Sequence, residues 1–245
     1  MDMWFWFCAI LASLAVGASK GGLPGVGVLG VPILAQAVSP VVAAGLLLPI
    51  FITSDIYGLW IYRKEYDLRN IKIIVPAATM GIAVGWATAS ITNDDLVKFM
   101  VGIIGLVFIA DMILKSRRVV AAKPADIPRG IFWGSLAGFT SFVAHAGAPP
   151  YQMYVLPQKL DKMVYAGTAT IVFALINLIK VPPYLMLGQI NMGSLEICLK
   201  LTPFALFGAF AGYKLTTIIP EKLFFRFVEI SLFALSVKLL WDATT

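Results

Sequence analysis

Lys20, Asp55, His145, Asn177 and Lys180 are polar or ionisable side chains set within long apolar runs. An ammonium group in hydrocarbon is expensive and as a rule faces a substrate pathway or a partner. Two such lysines could offset the charge of a small anion. His145 is the chain's single histidine, and imidazole is the side chain that ordinarily titrates near neutral pH, which suits proton coupling. Asp55 is the second candidate for that role. Asn177 and Lys180 lie three apart and share one helix face, so an amide and an ammonium could coordinate one oxyanion together. The blander readings are that Lys20 snorkels from a helix end to the interface, that His145 is a neutral hydrogen-bonded core residue, and that Lys180 neutralises Asp55.

Such side chains need elements that can hold them. The stretch 141–157 carries His145 just before Gly147, Pro149 and Pro150. Proline removes a backbone donor and clashes with the preceding turn, so this stretch is not one ordinary membrane helix. Freed backbone is tolerated at membrane depth only where it is buried in protein or lines a cavity. Helix N-termini at such a break favour anions, and broken helices near the bilayer midplane are where many transporters hold substrate. A second interruption runs from Ser19 to Gly27, with Lys20, Gly21, Gly22 and Pro24 inside it. Gly21, Gly22, Gly147 and Gln152 therefore join the candidate substrate-binding residues. The glycines serve either as ligands or as permissive backbone. Gln152, Tyr151, Thr140 and Ser141 either offer neutral donors or satisfy the freed backbone.

The 245 residues are 60% hydrophobic and 13% charged, about half the charge of an ordinary soluble domain, and the mean hydropathy is +0.88. Apolar runs near the length of a membrane span recur along the chain. The net charge of +6 lies mainly in short loops, where it sets orientation, and is no nucleic-acid signal. Cys8 and Cys198 have no metal or redox spacing and read as packing residues. No cofactor and no metal site is expected. With one histidine, two separated cysteines and neither HExxH nor GxSxG, no nucleophile–base pair or metal cluster suggests an enzyme. The first apolar run lacks a basic leader segment, so it is expected to stay in the chain rather than be cleaved as a signal.

Full spans are expected at 40–62, 73–91, 96–114, 163–187, 194–217 and 222–241, with interrupted hairpins at 3–38 and 130–157. The halves match by subtraction. Lys20 and His145, Gly22 and Gly147, Pro24 and Pro149, Pro32 and Pro157, and Asp55 and Lys180 all lie 125 residues apart. Pro76 and Pro203, Gly81 and Gly208, and Gly85 and Gly212 lie 127 apart, which indicates a duplication with one small insertion. Basic loops at 63–72, 115–129, 158–162 and 214–222 should be cytoplasmic, and the turns at 92–95 and 188–193 external. The expected fold is an all-α polytopic membrane protein of two inverted repeats, each a re-entrant or broken-helix hairpin plus three transmembrane helices. Its parts are a first repeat at 1–119, a cytoplasmic linker at 120–129 and a second repeat at 130–245. Lys20 and His145 would then sit at two hairpin tips that meet near the midplane. The alternative is a parallel pair of four-span halves.

The pieces Ser19-Lys-Gly-Gly-Leu-Pro-Gly25, Gly138 to Pro150, Tyr154-Val-Leu-Pro157, Gly167-Thr168 and Asn177 to Tyr184 resemble the sulfite exporter TauE/SafE family, also called TSUP, over almost the whole chain. Ala148 stands where many relatives carry a further glycine. The resemblance implies a secondary transporter in the cell membrane, most simply a bacterial or archaeal inner membrane. It implies export of sulfite or a C2 organosulfonate such as sulfoacetate; the residues themselves suggest coupling to protons through His145 and Asp55. Uptake or channel transport of thiosulfate, sulfate or a carboxylate is the alternative, and an intramembrane redox enzyme a more distant one. The expected partners are a small anion and the lipid bilayer, with no nucleic acid; a homodimer stays open.

Overall fold

Asp2 and Gly22 bracket the first helix for opposite reasons. The Asp2 carboxylate accepts the Phe5 N–H at 2.9 Å, capping α1 (Met3–Lys20) at its start. At the other end Gly22, at φ 106°, donates to Ser19 O while Leu23 donates to Ala18 O. This is the Schellman closure, which needs a residue free to adopt the left-handed region. The chain continues through a 3-10 turn at Val26–Leu29 into the short α2 (Gly30–Leu34). Trp4 Nε1 donates to Gln36 O at 3.3 Å, so the two arms of 3–38 return to a common base. The hairpin is unequal: its first arm alone is long and apolar enough to cross a membrane.

The computed structural model describes residues 2–89, 99, 102–103, 106, 110 and 122–244. Most of the expected span 96–114, the turn 92–95 and the first part of the loop after 115 lie outside them. Among the described residues the further helices are α3 (Pro40–Ile61), α4 (Leu68–Ala87), α5 (Ile127–Ala144), α6 (Ala148–Val155), α7 (Lys162–Met186), α8 (Met192–Ile218) and α9 (Glu221–Thr244). No strand occurs among the described residues. The protein is an all-α, multi-pass membrane protein. Among the described residues five segments have spanning length and apolarity: Met3–Lys20, Val41–Ile61, Leu68–Ala87, Lys162–Met186 and Met192–Ile218.

Two helices start well before the sequence reading places them, each because of a cap. α4 begins at Leu68, not 73, because the Asp67 carboxylate accepts the Asn70 N–H at 2.7 Å. Arg69 and Lys72 thus belong to a helix rather than a loop. α5 begins at Ile127, inside the stretch read as linker, because Asp126 accepts the Arg129 N–H at 2.9 Å. Pro149 and Pro150 do not themselves break a helix. They open α6 in its first turn, where a missing N–H leaves no gap. The break is the short piece between Ala144 and Ala148.

The chain forms two compact units, one of Met1–Tyr66 with Met163–Pro220 and one of Asp67–Lys162 with Glu221–Thr245. Each contains the same kind of helix crossing. In the first, α1 lies against α8 with Gly17 and Gly21 opposite Gly208 and Gly212; a Cβ on Gly212 would sit 2.5 Å from Ala18 O. In the second, α4 lies against α5 with Gly81 and Gly85 opposite Gly134 and Gly138; a Cβ on Gly81 would strike Ser135 O. Glycines spaced by four on both faces let backbones approach closely, the small-residue packing of membrane helices. In both units the first helix of one half crosses the third long helix of the other half.

The base of the second hairpin is closed like that of the first. Lys123 N–H donates to Pro157 O at 3.0 Å and Tyr154 OH to Asp126 O at 2.9 Å. Nearby, Asn70 of α4 and Gln158 exchange two amide hydrogen bonds of 2.8 and 3.0 Å.

Candidate functional site

Lys20 is the last residue of α1 and only 3% exposed, so it does not snorkel. Its Nζ lies 2.7 Å from Asp55 Oδ1 of α3. The second carboxylate oxygen accepts from Asn177 Nδ2 of α7 at 2.9 Å. The blander reading had Lys180 neutralise Asp55, but the direct ion pair is made by Lys20. Isolated charges would not survive such burial; a pair whose remaining lone pairs are hydrogen-bonded can.

Aromatic faces complete the enclosure. The Lys20 ammonium lies 5.1 Å from the Phe51 ring centre and 5.9 Å from that of Phe173, within cation–π reach. Lys180, fully buried, has its Nζ 5.8 Å from the Tyr184 ring centre and lies within electrostatic range of both Lys20 and Asp55. Two ammonium groups and one carboxylate sum to a single positive charge when all are ionised.

The carbonyls freed where α1 ends are capped as well. Tyr62 OH donates to Gly21 O at 2.8 Å, and Thr170 OH donates to Lys20 O at 3.4 Å. A helix C-terminus carries partial negative charge, and hydroxyl donors reduce its repulsion of an anion. The Gly21 N–H is itself donated, to Gly17 O, and that of Gly22 to Ser19 O. A Cβ on Gly21 would strike Ala209 O, and one on Gly22 the Tyr62 hydroxyl. The structure uses both glycines for the turn and for close packing.

One unit thus gathers Lys20, Gly21, Gly22, Asp55, Asn177 and Lys180; His145, Gly147 and Gln152 belong to the other. His145 follows α5 with φ 51°, a left-handed conformation unusual for a residue with a side chain. Its N–H reaches Ser141 O at 3.2 Å, and Ala146 N–H reaches Thr140 O at 3.1 Å. The Thr140 hydroxyl lies 2.8 Å from Leu136 O and 3.1 Å from Ala146 O, so it satisfies freed backbone. Gly147 precedes α6, and His145 and Gln152 are both buried.

Sequence reasoning did not single out Tyr62, Thr170, Phe51, Phe173 or Tyr184. Their spacing carries a signal. Thr170, Phe173, Asn177, Lys180 and Tyr184 fall at three- and four-residue steps, one face of a helix. Phe51, Asp55, Gly58 and Tyr62 do the same on α3.

Helices of spanning length and a helix that ends on an enclosed ion pair describe a polytopic membrane protein that keeps charged side chains in its interior. The family model of the sulfite exporter TauE/SafE matches residues 9–239. The chain belongs to this family, one of membrane anion transporters. Comparison with curated proteins and with solved structures gave no match.

Proposed function

We propose that the protein is a secondary transporter that exports a small sulfur-containing anion, sulfite or a C2 organosulfonate such as sulfoacetate, in a proton-coupled cycle. The observation that carries this reading is the buried cluster that sets two lysines, Lys20 and Lys180, against one carboxylate, Asp55. In an apolar surround such a surplus favours a small anion over a neutral solute. Lys20 and Lys180 offset the anion's charge, and Asn177 contributes amide hydrogens. His145 and Asp55 are the proton-coupling candidates. The two halves are inverted repeats that exchange shapes to alternate access; the duplicated glycine crossings support the duplication on which that rests.

The test is flux in proteoliposomes with sulfite, sulfoacetate, thiosulfate and sulfate, with and without a pH gradient. Saturable flux of at least one of these, abolished by Lys20→Ala in protein that still folds, is expected. Wild-type flux in Lys20→Ala would remove the proposed site, and electrogenic flux that never saturates would mark a channel.

A further inference from the structure

We propose that Asp55 is a built-in stand-in for the substrate: a dianion displaces its carboxylate from Lys20, and the displaced carboxylate takes up one proton. This rests on the reading of the cluster as the anion site. The geometry limits how Lys20 can respond to an arriving anion. Its ammonium is enclosed by the Asp55 carboxylate at 2.7 Å and by the rings of Phe51 and Phe173. Neutral ring faces cannot be traded for an oxyanion without losing charge balance. The carboxylate can be, since it already fills the position that a sulfonate or thiosulfate oxygen would take.

Charge counting then fixes what accompanies the anion. The groups facing Asp55 are Lys20 from α1 and Lys180 from α7, with the Asn177 amide beside them. With all three ionised the empty cluster carries one positive charge. A dianion would make it negative by one. In a dry site that excess charge is expensive, and a proton on the displaced Asp55 brings the loaded cluster to zero. Asn177 can hold either form of Asp55, because an amide both donates and accepts. The proton comes from water on the loading side, forms an O–H bond on the carboxylate and is released to water on the other side when Lys20 and Asp55 pair again. Each cycle moves one dianion, one proton and one net negative charge. An inside-negative membrane potential therefore drives it outward.

The experiment uses the full chain in proteoliposomes with thiosulfate and sulfoacetate as probes and a pH-sensitive dye inside. Wild type should move one proton with each dianion. Asp55→Asn has no carboxylate to protonate, so whatever net dianion flux it retains should carry no proton, and the proton signal should fall to that of empty liposomes. Asp55→Glu, which keeps an ionisable carboxylate, should retain the signal. Proton movement that survives in Asp55→Asn and disappears in His145→Gln overturns the proposal and leaves anion transport standing. If Asp55→Asn does not fold, the wild-type ratio decides, and any ratio other than one proton per dianion overturns it. Failure of wild type to move either dianion also overturns the proposal, whereas failure to move sulfite and sulfate as well sinks the underlying anion reading.

Discussion

Lys20 Nζ and Asp55 Oδ1 lie 2.7 Å apart in a site where both side chains are almost fully enclosed. Removing one partner of such a pair leaves an uncompensated buried charge, at a cost of about 3–5 kcal/mol. Lys20→Met should therefore lower the unfolding temperature in detergent markedly. Lys20→Met combined with Asp55→Leu and Lys180→Met, which removes every charge of the cluster, should recover most of that loss, since replacing buried charges by apolar groups is often neutral. Both proteins should be inactive in flux. Equal stability of the single and triple variants would show that the charges are not coupled.

Tyr62 and Gly21 make the second contact that shapes the tip. The Tyr62 hydroxyl caps a carbonyl at the negative end of α1, one residue from Lys20. In Tyr62→Phe the ring stays and the cap goes, which removes about 1 kcal/mol of hydrogen bonding. The exposed carbonyl should weaken anion binding by roughly fivefold, seen as a higher KM with kcat little changed. A fall in kcat at constant KM would argue that the hydroxyl does not act on the anion's site.

The broad fold was legible because membrane depth leaves few options. Apolar runs of spanning length must be helices, and the expected spans 40–62, 163–187 and 194–217 lie within two residues of α3, α7 and α8 at both ends. Boundaries moved where a side chain outranked hydropathy, as when Asp67 and Asp126 capped helices earlier than the apolar pattern began. The site was half legible. Lys20, Asp55, Asn177 and Lys180 were visible because charge and amide groups in hydrocarbon need a reason. Their partners were not, because tyrosine, threonine and phenylalanine are unremarkable in a membrane helix until the period of three and four aligns them. Which lysine takes Asp55 depends on how α1 ends, and that is decided by the left-handed Gly22, not by the spacing of charges.

The two glycine crossings give a test of packing that is independent of the site. In Gly81→Ala the new methyl meets Ser135 O, and in Gly212→Ala it meets Ala18 O. A backbone carbonyl cannot swing away, so each should destabilise by about 1–3 kcal/mol or more. Gly193→Ala is the control: its nearest neighbour is Asn191 Oδ1 at 3.3 Å, and alanine there should be neutral or stabilising by up to about 1 kcal/mol through helix propensity. Thermal unfolding of the three variants separates close approach from a general intolerance of substitution.

The proposal that the repeats are inverted makes a further prediction about sidedness. Lys64 and Met192 are both exposed and stand in the basic loop after α3 and at the start of α8. With Cys8 and Cys198 replaced by alanine, single cysteines at these positions should label from opposite sides of the membrane. An impermeant maleimide added to intact cells should reach Met192→Cys and not Lys64→Cys. Labelling of neither from outside, with both reached once the cells are permeabilised, would replace inverted halves by parallel ones.

Asn70 and Gln158 tie the start of α4 to the base of the second hairpin by two reciprocal amide bonds, and Gln158 Nε2 also donates to Tyr154 O at 3.1 Å. Both amides are buried. In Asn70→Ala the Gln158 amide loses two partners at once, and an unsatisfied buried polar group costs about 1–3 kcal/mol. Asn70→Leu with Gln158→Leu leaves no orphan in the pair, so the double variant should be more stable than Asn70→Ala. If the tie only holds the fold, transport in the double variant tracks its stability. A double variant as stable as wild type but slower in flux would show that the hairpin base must stay polar to move.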